Sequence, residues 1–354
     1  MRVLVTGSAG FIGRYLVPEL LGAGHTVVGL DNLATYGPSV HSFDADPNFE
    51  PIVGDAADVD LLRRIAADCD QIVAAAGLVG GSATFAELAY DLLATNERII
   101  AATFDAAIDA FLDGRLERVV VLSSSLVYEA ASAFPTPENA TRTSPPPHST
   151  FGFQKLSSEY FAKGAHEQYR VPYTILRLGN VVGAGERLVP HAAATAGDRR
   201  LALGNTIPEL AVRILSGQDP VHITGGGSHV RPFTYAGDAA HGIRLAMESD
   251  AARNETFNIS SPEATSVLDL AERIWKRVHP GEPFRFAADA VGGYDVPVRV
   301  PDTRKAKAML GFEARTNLDA MLDEIIPWLD LELASGKLAP ILSPGGPALA
   351  KVDA

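Results

Sequence analysis

The chain opens Met1-Arg-Val-Leu-Val-Thr-Gly-Ser-Ala-Gly-Phe-Ile-Gly13, and this stretch decides the fold. Arg2 to Thr6 has the β-branched and apolar character of a strand buried on both faces, and Phe11 to Leu21 has the length and spacing of a helix. Three glycines sit at the joint. Gly7 permits the sharp turn off the strand, Gly10 leaves room for a pyrophosphate to reach backbone N–H groups, and Gly13 lets the helix pack closely on the sheet. The helix start, with Phe11 and Ile12, offers unpaired N–H groups and a positive dipole end to the phosphates. Such a turn holds a dinucleotide.

The helix ends at Gly22-Ala-Gly24, a C-cap signal, although Pro18 inside it should produce a kink. The next strand, His25 to Leu30, finishes on Asp31 and is followed by Asn32. An acidic residue about twenty positions after the glycines is placed to hold an adenosine ribose 2′-OH. Asp31 repels a 2′-phosphate and no Arg or Lys stands beside it, so the cofactor is NAD rather than NADP. A third strand, Phe49 to Gly54, ends on Asp55 and Ala56, and a fourth, Gln71 to Ala76, ends in Ala74-Ala75-Ala76, small residues that suit a cofactor lying across strand ends. The stretch from Thr84 to Leu112 is helical in spacing and holds Asn96 near its middle. Arg118 to Ser124 is a fifth strand emerging into Ser123-Ser124-Ser125.

A Pro, Ser and Thr-rich loop over 134–149 arches over the site, followed by a helix from Thr150 to Tyr169 and a sixth strand, Tyr173 to Leu178. This alternation predicts an α/β fold, a Rossmann doubly wound parallel sheet with its ligand site beyond the carboxyl ends of the strands. Residues 1–178 form the NAD-binding domain, with a strand and helix returning near 235–260. Residues 179–333 are mainly a smaller C-terminal substrate-binding domain, with helices near Pro208–Ser216, Val267–Val278 and Leu318–Leu333, and 334–354 are a flexible tail.

In a chain of 354 residues, a hydrophobic content of 47% is ample for a sizeable core. No apolar run approaches the ~20 residues of a membrane span, and Met1 leads directly into a core strand, so the expected setting is cytoplasmic. The lone Cys69 forms no internal disulfide and has no neighbours at metal-ligand spacing, so it reads as a structural thiol. None of the nine histidines forms a His-x-x-x-His pair, and no metal site is expected. A formal charge of −13 argues against nucleic acid and anionic membrane surfaces as partners.

Ordered motifs over residues 1 to 330 resemble the extended short-chain dehydrogenase/reductases, specifically the nucleotide-sugar epimerases and dehydratases. They are TGSAGFIG at Thr6, DNL at Asp31, GD at Gly54, SSSLVY at Ser123, STFGFQKLSSE at Ser149, LRLGNVVG at Leu176, GGGSHVRPFTYAGD at Gly225, FNIS at Phe257 and VRVPDTRKAKAMLGF at Val298. The resemblance implies that Ser124, with Ser125 beside it, meets the sugar hydroxyl being oxidised. It implies that Lys155 binds the nicotinamide ribose and lowers the pKa of a tyrosine four residues earlier on the same helical face. It places Asn180, Arg231 and Arg299 at the diphosphate or nucleoside, where the planar fork of arginine pairs with phosphate oxygens. It further implies a homodimer formed through the helices at 84–112 and 150–169.

The tyrosine position is Phe151, which has no proton to exchange. Two readings stay open: a chain that uses another base, with Ser124, Tyr128 and Glu129 as candidates, or an engineered or otherwise disabled site. The function implied is an NAD-dependent nucleotide-sugar epimerase acting through transient oxidation to a keto-sugar, on a nucleotide-diphosphate sugar. A decarboxylase or dehydratase shares the oxidation step, although Ser125 and Leu126 stand where dehydratases usually carry an Asp-Glu pair. A non-catalytic protein that senses NAD and a nucleotide is the rival from outside enzymes.

Overall fold

The computed structural model describes residues 1–79, 89–186, 206–290 and 296–336. The first part alternates β1 (Arg2–Thr6), α1 (Phe11–Gly22), β2 (Thr26–Asp31), β3 (Phe49–Val53), α2 (Val59–Ala66), β4 (Gln71–Ala74), α3 (Ala89–Leu112), β5 (Arg118–Ser124), α4 (Thr150–Tyr169) and β6 (Tyr173–Leu178). Then come β7 (Val181–Val182), α5 (Thr206–Leu215), β8 (Val221–Thr224), β9 (Val230–Pro232), β10 (Thr234–Tyr235), α6 (Ala236–Glu248) and β11 (Glu255–Ile259). The chain continues through β12 (Ala264–Ser266), α7 (Val267–Val278), β13 (Phe286–Asp289), α8 (Arg304–Leu310) and α9 (Leu318–Ala334).

Seven of these strands form one parallel sheet in the order β11-β6-β5-β4-β1-β2-β3. The chain winds outward from β1 through β2 to β3, then starts again at β4 on the other side of β1. That reversal opens a crevice at the carboxyl ends of β1 and β4, the place where doubly wound sheets bind ligands. The returning strand is β11, which pairs with β6 from Glu255↔Thr174 to Ile259↔Leu178.

Burial on both faces explains the β-branched runs. Leu16, Val17 and Leu20 of α1 and Ile243 and Met247 of α6 cover Val3, Val5 and Val27 on one face. Leu62, Ile100, Phe104 and Ala162 cover Leu4, Val28 and Ile72 on the other. A third core joins α5, α7 and α9 through Ile207, Val212, Leu270, Ile274, Leu322 and Ile325.

α1 is one helix from Phe11 to Gly22 with Pro18 inside it, and its end is capped where expected, with Gly24 at φ +83° and His25 N–H bonded to Leu20 O at 3.1 Å. Other local expectations need correction. β4 stops at Ala74 because the N–H groups of Ala75 and Ala76 turn to Thr6 Oγ1, each at 3.1 Å. Helix α2 was not anticipated, although Asp58 caps it through Asp60 N–H and Leu61 N–H at 3.1 and 3.0 Å. The expected start of the long helix at Thr84 and the tail beyond 336 lie outside the described residues.

One buried charge pair ties helix α4 to the sheet. Glu159 accepts two bonds from Arg177 of β6, both at 2.7 Å, and one from Ser123 Oγ at 2.8 Å, with its side chain fully buried. Burial acts to raise the Glu159 pKa, but the bonds and charge of Arg177 outweigh it, so the carboxyl titrates below its ordinary range. A depressed carboxyl contributes stability above its unfolded pKa and loses it as pH falls through the folded value. Removing Arg177 leaves the buried Glu159 with only Lys163, at 3.3 Å, as a cationic partner, so Arg177→Met is predicted to lower the unfolding free energy by about 3–5 kcal/mol. Urea titration at neutral pH checks this; a loss below about 1 kcal/mol contradicts it.

Candidate active site

The glycine turn is held by its own backbone. Gly7 has φ +74° and donates its N–H to Leu30 O at 2.7 Å, and a Cβ there would meet Ala76 Cα at 2.8 Å. At Gly13 a Cβ would lie 2.3 Å from Ser8 O. The close approach at Gly13 is therefore between the first turn of α1 and the glycine turn, rather than between helix and sheet. Gly10 is the N-cap of α1 and brings no side-chain cap. The first helical N–H groups, beginning at Phe11 and Ile12, are those an anion takes at a bare helix start. This cradle fits a pyrophosphate.

Asp31 closes the cradle from β2. Its Oδ2 accepts from Ala9 N–H at 3.0 Å and its Oδ1 from Leu33 N–H at 2.7 Å, which fixes the glycine turn to the strand end. A carboxylate has about four acceptor positions, so a ribose hydroxyl can still be held. Asn32 and Asp55 stabilise their own turns, accepting from Ala34 N–H at 3.0 Å and Ala57 N–H at 2.9 Å, and Ala56 is buried. Thr6, missed in the sequence because it reads as the last β-branched residue of a strand, fixes the Ala75-Ala76 turn from below.

Asn96 of α3 accepts from Leu78 N–H at 2.7 Å and donates to Leu78 O at 2.9 Å. Its amide thereby shapes the loop after β4. Ala74, Ala76, Asn96 and Lys155 line one small cavity, so the structure brings these expected residues together.

On the other side of the crevice stand β5 and α4. Lys155 donates to Leu122 O at 3.1 Å, and desolvation pushes its ammonium down to about 8. Its Nζ lies 5.7 Å from the ring centre of Phe151, one helical turn earlier. Ser124 Oγ accepts from Leu126 N–H at 3.2 Å, which leaves its own proton to donate. A Cβ on Gly152 would meet Leu126 O at 2.8 Å, so the first turn of α4 abuts the Ser124 segment, where Ser125 is buried. Ser124, Phe151 and Lys155 thus surround one place at the end of β5.

Two proposed replacement bases are committed elsewhere. Tyr128 is 2% exposed; its hydroxyl accepts from Arg177 and donates to Asn258 Oδ1 at 3.0 Å. Burial pushes its pKa well above the ordinary value, and its hydroxyl is engaged by Arg177 and Asn258. Glu129 accepts from His148 N–H at 3.0 Å, Ser149 N–H at 2.9 Å and the Ser149 hydroxyl. It anchors the start of α4, where Ser149 caps Gly152 N–H at 2.9 Å.

Across from α4 lies a cationic group. Arg299 is 8% exposed, donates through Nη2 to Asn180 Oδ1, and has a buried Nε with no hydrogen-bond partner among the described residues. Burial, and then the charge of Arg231, push its pKa down to about 9, so it is still a cation at neutral pH. Asn180, at φ +34°, donates to Pro232 O at 2.9 Å beside Arg231 on β9. Arg231, Asn180 and Arg299 therefore converge as the sequence predicts. Among the described residues no group of His, Cys, Asp and Glu fits a metal ion, and no helix is long and apolar enough to cross a membrane. Cys69 is buried and donates to Ile65 O at 3.3 Å; burial pushes its thiol up to about 11.

Residues 3–260 match the NAD dependent epimerase/dehydratase family. A UDP-N-acetyl-alpha-D-glucosaminuronate decarboxylase of Bacillus cytotoxicus is 28% identical, with 92% of this chain and 97% of that protein covered. The UDP-glucose 4-epimerase of Thermotoga maritima, solved with UDP-glucose, superposes with a TM-score of 0.77 at 26% identity, covering 94% of this chain and 100% of that one. MoeE5, solved with UDP-glucuronic acid and NAD, gives a TM-score of 0.75 at 29% identity, covering 93% and 98%.

If Asp31 selects the cofactor, Asp31→Ala weakens NAD binding by roughly tenfold or more and narrows the preference over NADP, because a charge-assisted bond is lost with the repulsion of a 2′-phosphate. Fluorescence titration with both cofactors is the check. Tighter NADP than NAD binding by the parent chain contradicts the assignment.

Proposed function

The chain belongs to the NAD dependent epimerase/dehydratase family, and from that premise we propose that it is an NAD-dependent epimerase of nucleotide-diphosphate sugars. The observation that carries this reading is the buried Arg299, a cation beside the cation Arg231 in a chain whose formal charge is −13. A buried guanidinium with an unused N–H is costly unless an acceptor joins it, and the Nε of Arg299 has none among the described residues. A diphosphate is a suitable anion, because two guanidinium forks match its oxygens. Asn180 keeps the Arg299 fork in position.

With the diphosphate at these arginines, the sugar extends toward Ser124 and Phe151. Glu129 stands between the two: it accepts from Ser149 at the start of α4, and its charge acts on Arg299. When bound, NAD supplies the hydride acceptor and donor. Ser124 donates a hydrogen bond to the sugar oxygen at the reacting carbon. Lys155, cationic below about pH 8, orients the cofactor ribose and supplies positive charge near the oxygen that must lose its proton. Phe151 adds shape there and no proton.

The proton-transfer group is thus the missing part of an otherwise assembled site. Proton transfer by a positioned side chain contributes roughly 10²–10⁴-fold to rate. Phe151 also favours a second reading, in which the chain binds NAD and the nucleotide without turnover. Homodimer formation through α3 and α4 is part of the proposal, since Tyr90, Phe153 and Tyr160 are exposed on those helices.

Phe151→Tyr restores a phenol one turn before Lys155, and the proposal predicts a gain of roughly 10²-fold or more in turnover of a cognate nucleotide sugar. Incubation with UDP-, dTDP- and GDP-sugars followed by mass spectrometry reads the outcome. Epimerisation leaves mass unchanged, whereas decarboxylation and dehydration do not. A decrease in product mass replaces the epimerase reading, and no turnover by Phe151→Tyr on any of these sugars favours the binding protein.

A further inference from the structure

The segment that carries Arg299 is clamped from two sides by backbone. On one side Arg299 N–H bonds Val230 O at 3.1 Å, and Val230 N–H bonds Pro297 O at 2.8 Å. On the other, Thr136 N–H bonds Val300 O at 2.7 Å, and Asp302 N–H bonds Thr136 O at 2.8 Å. The loop around Thr136, expected to arch over the site, is thus bonded directly to the Arg299 segment.

Asn258, on β11 and fully buried, joins the second clamp. Its Nδ2 donates to both Thr136 O and Asp302 O, at 3.1 and 3.0 Å, and its backbone N–H bonds Glu138 Oε1 at 2.9 Å. Its Oδ1 accepts from Tyr128, whose hydroxyl accepts in turn from Arg177. Arg177 also donates to Glu138 O at 2.7 Å and to Thr141 Oγ1 at 3.3 Å, and pairs with Glu159 one turn beyond Lys155. The side chains of Asn258, Tyr128, Arg177 and Glu159 are each under 3% exposed. An amide so placed has a single orientation, because its donors meet two carbonyls and its acceptor meets a hydroxyl.

We propose that Tyr128 and Asn258 are positioning residues for the anion grip: they fix the Arg299 segment relative to helix α4, and so set the distance between the diphosphate and the reacting end of the sugar. The proposal rests on the reading that Arg299 holds a diphosphate. Tyr128 touches no ligand on this account, and it acts only through Asn258.

Calorimetric titration of the full chain with NAD, and of the NAD-loaded chain with UDP and dTDP, tests it. Tyr128→Phe keeps the ring and removes the hydroxyl. It should weaken binding of whichever nucleotide the parent takes by about three- to tenfold, with NAD affinity within about twofold of the parent. Asn258→Asp, nearly isosteric but without the two N–H donations, should weaken it further. In an Arg299→Ala background Tyr128→Phe should add nothing, because the two act through one contact. Nucleotide affinity unchanged in Tyr128→Phe overturns the proposal, as does an equal further loss in the Arg299→Ala background. A Tyr128→Phe chain that no longer retains NAD assigns the hydroxyl to general stability and overturns it too. Failure of the parent chain to bind UDP or dTDP is a separate result, which removes the anion-site reading and the proposal with it.

Discussion

Glu159 and Arg177 meet where the backbone ladder of the sheet ends, and much of the site hangs on that meeting. Parallel strands leave their last carbonyl and N–H groups to be satisfied by whatever covers their carboxyl ends. Here a single guanidinium pairs with α4, bonds the Tyr128 hydroxyl, and holds the loop at Glu138 and Thr141. Because both charges are buried, alternative arrangements that part them are costly, and α4 keeps one register on the sheet. Lys155 and Phe151 ride on that helix, so their distance from Ser124 follows from a contact in which none of them takes part.

The same logic governs the other half of the crevice. Thr6 holds the turn after β4, Asn96 holds the loop beyond it, and Asp31 holds the glycine turn, each through backbone groups left over at a strand end. The pyrophosphate cradle is therefore rigid before any ligand arrives, which reduces the ordering that binding must supply. The anion grip differs in kind. It brings Arg231 beside a buried Arg299 whose Nε has no hydrogen-bond partner among the described residues, and on the proposed reading an anion completes it.

Much of this was legible from residue order alone. The glycine spacing, the β-branched runs and the alternation of strand and helix carry local information, and they gave the sheet, the returning strand near 255 and the cofactor cradle. Ser124, Lys155, Asn180, Arg231 and Arg299 came from motif resemblance, and of these Asn180, Arg231 and Arg299 stand together. What was not legible depends on burial. Tyr128 and Ser124 stand four residues apart at the end of one strand, yet the first points its hydroxyl into a buried network and the second keeps a proton to offer. Nothing in spacing distinguishes them, because the difference lies in Arg177 and Asn258, which approach from β6 and β11. The bonds of the Asn96 amide were hidden for the same reason: its partner, Leu78, sits on a loop whose path a sequence does not reveal. Strands of two residues such as β7 and β10 carry no periodicity at all.

The central claim is that one crevice takes NAD at the glycine turn and a nucleotide diphosphate at the two arginines, with the sugar between Ser124 and Phe151. The most direct measurement is a crystal structure of the chain with NAD and a UDP-sugar bound together. The account predicts the NAD pyrophosphate at the start of α1 and the UDP diphosphate within hydrogen-bond distance of Arg231 and Arg299. A diphosphate bound away from both arginines, with Arg299 instead paired to a carboxylate of the protein, would contradict it.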